Sequence, residues 1–127
     1  MSDASLGKLL AAATEFTFRP DYGDLNDAFS DDPEQHDAIV LSWRGPSENG
    51  ADPDRWAIKH HSHNCWTRSS GWEFEPRPSS RDDEFLNDAR FSRDEAVALV
   101  PTLLREIEAR RIPELRRMVE ARAERQR

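Results

Sequence analysis

Residues 55–75 read RWAIKHHSHNCWTRSSGWEFE, and the alternation in this stretch decides the fold. Over residues 55–61 it places Trp56, Ile58 and His60 on one face of an extended chain. Residues 65–68 and 71–75 flank Ser69-Ser70-Gly71, a turn composition, and read as a hairpin. In its second strand Trp72 and Phe74 share one face, while Glu73 and Glu75 share the other. Upstream, residues 38–44 (AIVLSWR) are apolar and stop at Gly45-Pro46, where a loop rich in Pro, Asn, Gly and Asp begins. The expectation is a three- or four-stranded antiparallel meander with one buried face, closed off by Pro76 and Pro78.

Helical spacing takes over after residue 91. Ser92 and Glu95 stand three apart, the spacing of a capping box, and Ala96, Val97, Val100, Leu103, Leu104 and Ile107 then recur on one stripe. Pro101 predicts a kink or break. Pro113 suits the first turn of a second helix, whose stripe is thin: Leu115, Met118 and Val119. Beyond Ala121 charge surrounds the axis and the end is expected to fray. At the other end residues 6–14 read as a short helix followed by a strand carrying Phe16 and Phe18.

The fold class is therefore α+β, a small antiparallel β-meander with C-terminal helices packed on one face. A single domain over 1–127 divides into an acidic, partly flexible part (1–37), a sheet (38–78), a crossing loop (79–91) and a helical part (92–127). Trp56, Ile58, Trp72, Phe74, Val100 and Leu104 are expected among the least exposed residues.

Composition narrows the function. Charged residues make up 34% of the chain against roughly 25% in an ordinary domain, so a modest core carries a heavily charged surface. A net charge of -7 disfavours general affinity for nucleic acid or anionic membrane, both polyanions. The charge is uneven: residues 1–54 hold 12 acids and 3 bases, whereas residues 55–127 hold 13 acids and 15 bases. A single cysteine excludes an intramolecular disulfide. Without an apolar run of membrane-spanning length, the expected location is cytoplasmic, in a host cell on the resemblance given next.

Residues 72–99, WEFEPRPSSRDDEFLNDARFSRDEAVAL, resemble a family of small proteins of actinobacterial phages and prophages. The shared features are a tryptophan-rich hairpin, the WEFEP strand end, PSSRDDEFL and the Arg-Phe-Ser start of a helix, and the likeness spans about residues 55–104. It implies a phage or prophage accessory gene and carries no catalytic or binding residue with it. Sixteen arginines against two lysines fit a GC-rich coding sequence.

Chemistry-bearing residues are few. His61, His63 and Cys65 would point to one side of an extended strand and are good first-row metal ligands. A hairpin bend would scatter them, no second ligand pair follows, and no stoichiometric metal or other cofactor is expected. Neither a G-x-S-x-G, a Walker loop nor a G-x-G-x-x-G is present. The C-terminal arginines alternate with glutamates at helical spacing, a solvated-face pattern first and a nucleic-acid track second.

The segment Arg81-Asp82-Asp83-Glu84-Phe85-Leu86 follows a proline-stiffened approach in which Ser79 and Ser80 can cap a turn. It either pins a loop onto the sheet or presents Arg81, Asp82, Asp83 and Phe85 for recognition. An outward-facing tryptophan such as Trp66 would add a hot spot. Seven carboxylates between residues 21 and 37, among them Asp27, Asp31 and Asp32, form either a solvated connector or an acidic docking surface. The expectation is a non-enzymatic accessory protein that binds a host protein through acidic and aromatic surfaces. A small nucleic-acid binder is the alternative, and a metal-dependent enzyme the third.

Overall fold

Period-two alternation produces the sheet. The computed structural model describes residues 13–47, 50, 54–61, 63–78 and 81–127. Five strands, β1 (Glu15–Phe18), β2 (Ile39–Trp43), β3 (Trp56–His60), β4 (Asn64–Thr67) and β5 (Gly71–Phe74), lie side by side in chain order, all antiparallel. The meander is wider than the expected three or four strands because the Phe16/Phe18 segment joins it as an edge. Register brings Phe16 opposite Leu41 and Leu41 opposite Ile58, so these apolar side chains share one face. Gly71, at φ 74°, supplies the left-handed residue that turns β4 into β5.

That face is closed by one long helix. Helix α3 spans Arg93–Arg125, and its start is the expected capping box: Glu95 N–H donates to Ser92 Oγ while Ser92 N–H donates to the Glu95 carboxylate. Ala96, Val100, Leu103 and Ile107 are buried against Ile39, Leu41, Trp56, Ile58 and Phe91. The expected break at Pro101 and second start at Pro113 do not occur; both prolines lie inside α3. Each is exposed, so the carbonyl left without a helical donor can be hydrated, and the continuous packed stripe outweighs two missing hydrogen bonds. Nor does the end fray before Arg125. Arg122 Nη1 donates to the Ala28 carbonyl and its guanidinium lies over the Phe29 ring, tying the last turns back to the chain.

Three shorter helical segments complete the described part of the fold. Gly23–Ala28 forms a 3-10 turn and Pro33–His36 a one-turn helix, α1, so the described part of the acidic region is folded rather than a loose connector. The expected crossing loop contains a second short helix, α2 (Asp83–Ala89), capped by Asp82, which accepts from Phe85 N–H. Residues 6–12 of the expected N-terminal helix lie outside the described residues, as do Ser79 and Ser80; Ala13 and Thr14 are not helical.

The sheet is not covered on one face only. Strands β3 and β4 pair over just Lys59–Cys65 and His60–Asn64, then diverge, and Trp56 pairs instead with Phe91 through two backbone hydrogen bonds. Phe91 thus enters the core beside Trp66, while residues 81–90 pass across the opposite face. There Ala57, Cys65 and Thr67 are fully buried although they alternate with the helix-facing positions. Among the described residues no helix is long and apolar enough to cross a membrane.

Of the six residues expected in the core, Trp56, Ile58 and Val100 are buried, Trp72 and Leu104 are half-buried, and Phe74 is 71% exposed. Phe74 ends the edge strand and stacks on the His63 ring, outside the helix's cover. Leu103, at 2% exposure, is the true core position of its turn. Leu103→Ala should cost about 2–5 kcal/mol in reversible denaturation and Leu104→Ala distinctly less. An equal loss at the two positions would contradict this packing.

Candidate functional site

Two carboxylates that the sequence did not single out as sites organise the polar interior. The first is Glu75, just past β5, its side chain only 5% exposed. Arg90 Nη2 reaches its Oε1 at 3.2 Å; Lys59 Nζ, Arg44 Nη2 and Arg81 Nη2 approach its Oε2 at 3.1, 3.4 and 3.7 Å. Strand alternation positions Lys59 on the face away from α3, and the Phe91 pairing turns Arg90 to that same face. Burial alone would raise the Glu75 pKa, but the Lys59 hydrogen bond and the surrounding charges hold it below the usual carboxylate value.

Four cations around one carboxylate leave an excess of three positive charges in a chain of net charge -7. Beside them opens a pocket of about 470 Å³ lined by Trp43, Arg44, Gly45, Arg55, Arg81, Leu86 and Arg90. No carboxylate is among its described lining residues. Arg55 is braced on the Gly45 and Pro46 carbonyls and Arg81 on the Pro76 carbonyl, so both forks are held in place. The Arg90 side chain is 4% exposed, and its Nε, like that of Arg44, is buried without a hydrogen-bond partner. Trp43 stands 42% exposed at the rim. Such a site is chemically fitted to an anionic oxygen group.

The second carboxylate is Asp37, between α1 and β2. Its Oδ2 accepts from Tyr22 Oη at 2.6 Å and from Arg111 Nε at 2.8 Å, and its Oδ1 lies 2.9 Å from His61 Nε2. Burial pushes its pKa up, yet those three hydrogen bonds and the Arg111 charge bring it below the ordinary value. Burial and Asp37 raise the Tyr22 pKa, so the phenol stays protonated as a donor. His60 stacks on His61 at 3.8 Å between ring centroids, and burial, with the His61 charge next, depresses its pKa to about 4. A cleft of about 370 Å³ opens here, lined by residues that include His36, Asp37, His60 and His61. Among the described residues the metal-ligating atoms that converge are those of His36, Asp37 and His61, all within 4.8 Å of one another.

The expected site residues are largely dispersed. His61, His63 and Cys65 do not form a ligand set: the chain bends at His61 (φ 53°), His63 faces Phe74, and Cys65 is fully buried in the opposite layer. Burial raises the Cys65 pKa, leaving an inert thiol. Trp66 is half-buried against Phe91, and Phe85 lies half-buried under the Arg90 guanidinium. Asp82 is a helix cap and Asp83 is exposed in the first turn of α2; of that segment Arg81 and Leu86 line the pocket. Asp32, at φ 50°, caps α1 and pairs with Arg19, whereas Asp27 and Asp31 are exposed.

No family model, curated protein or solved structure matches this chain.

Removing the Glu75 charge leaves its cations uncompensated, so Glu75→Gln should destabilise the fold by about 3–5 kcal/mol at neutral pH. Because the folded-state pKa is depressed, this contribution is complete above the ordinary value of 4.5 and disappears as pH falls through the lower folded value. Denaturant melts of both proteins across pH 2–7 (about that range spans the transition) should converge at the acid end. A constant difference throughout would refute the assignment.

Proposed function

We propose that this chain is a non-enzymatic accessory protein of a phage or prophage that binds a host protein by seating an anionic side chain of that partner in the arginine pocket. One observation carries the reading: four arginines and an exposed tryptophan line a pocket whose described residues include no carboxylate, with the Arg90 and Arg44 Nε atoms buried and unpartnered. A carboxylate or phosphate group satisfies those forks by paired hydrogen bonds, and Trp43 offers a flat apolar wall beside them. Phage origin rests on the resemblance over residues 55–104 alone.

The acidic contribution comes from exposed carboxylates of the N-terminal turns, Asp24, Asp27 and Asp31 among them. Asp32 and Asp37 serve the fold instead. Charges of this kind act mainly on the rate of encounter, whereas the pocket sets how long the complex lasts.

Affinity capture from host lysate, with and without nuclease and read by mass spectrometry, tests the proposal. The wild type should retain a protein partner through nuclease treatment, and a Trp43→Ala/Arg81→Ala variant should lose it. In purified components, replacing Asp24, Asp27 and Asp31 by Asn should slow association and flatten its salt dependence. Capture abolished by nuclease would replace this reading with nucleic-acid binding through the arginines of α3.

A further inference from the structure

We propose that His36, Asp37 and His61 form a binding site for one divalent transition-metal ion of the zinc class, independent of the arginine pocket. Two imidazoles and a carboxylate are the donor set such ions prefer over magnesium or calcium, which take oxygen donors. The geometry is close to what an ion demands. The His36 and His61 ring centroids are 4.7 Å apart, and two imidazoles sharing a tetrahedral ion at ~2.0–2.1 Å place their centroids roughly 5 Å apart. Asp37 Oδ1 and His61 Nε2, now 2.9 Å apart, need open only to ~3.3 Å to admit an ion between them.

Three further features support the assignment. Tyr22 and Arg111 occupy Asp37 Oδ2 alone, which fixes the carboxylate and leaves Oδ1 turned to the cleft, as supporting residues around metal ligands do. His61 sits in the left-handed region at φ 53°, an uncommon conformation for a non-glycine residue, and this bend carries its ring over Asp37 rather than along the strand. His60 lines the same cleft with Nε2 buried and unpartnered; a water completing the ion's coordination would offer that nitrogen a partner. Two cations, Arg110 and Arg111, also face the cleft, and the carboxylates of Asp37 and Glu114 offset them; Glu114 accepts from Arg111 Nη1 at 2.7 Å.

The test uses the full chain without a histidine tag, stripped with chelator and titrated with Zn²⁺ by calorimetry and with Co²⁺ by visible absorbance. One equivalent should bind, and Co²⁺ should show the intense bands of a four-coordinate site. His36→Ala, a change at an exposed residue, and His61→Ala should each weaken binding by more than roughly tenfold. His63→Ala should leave it unchanged. Absence of saturable binding, or retention of full affinity in His36→Ala, would overturn the proposal.

Discussion

The pairing of Trp56 with Phe91 is the constraint on which the rest of this fold depends. Strands β3 and β4 separate after two residue pairs, and the gap would expose the backbone of Trp56 were it not bonded to Phe91 in both directions. Extended geometry then sends consecutive side chains to opposite faces. Phe91 goes down into the apolar layer under α3, and Arg90 goes up to Glu75. One short bridge therefore fixes the height at which α3 begins, the path of residues 81–90 and the floor of the arginine pocket. Arg68 reinforces it from outside, donating to the Arg90 carbonyl while its guanidinium covers the Phe91 ring.

Glu75 and Asp37 play parallel parts on the two sides of the sheet. Each is a buried carboxylate that gathers donors from elements distant in sequence: Arg44, Lys59, Arg81 and Arg90 for Glu75, and Tyr22, His61 and Arg111 for Asp37. Desolvation offsets much of what such pairs gain, so their main consequence is geometric. An apolar residue in either place would leave the surrounding cations free to point into solvent. The carboxylates hold them in fixed directions, and fixed directions are what make clefts with defined chemistry.

Much of the architecture was legible because it follows from periodicity. The alternation over residues 55–75 gives the hairpins, the Ser92/Glu95 pair gives the start of α3, and the 3.6-residue stripe gives its buried face. Pro101 and Pro113 misled because their effect depends on which side of the helix they occupy, and that is decided by the sheet beneath. Helix α2 was missed because its seven residues carry too short a pattern to stand out from a charged loop. The sites were least legible. Asp37 meets Arg111 across 74 positions and Glu75 meets Arg44 across 31, and no local spacing announces either pair. His36 stood apart from the histidine run, and only the left-handed bend at His61 brings the two rings together.

The length of α3 has a mechanical consequence. Beyond Leu115 none of its residues is buried, so the ten residues from there to Arg125 extend roughly 15 Å past the core as a projecting arm. Its clasp is Arg122 on Ala28 and Phe29, at the edge of the acidic turns. Releasing that clasp breaks few contacts, so the arm opens at a small local free energy while the sheet stays intact. The clasp thereby couples the last turns of α3, rich in arginine, to the acidic turns, so a displacement of either is felt by the other.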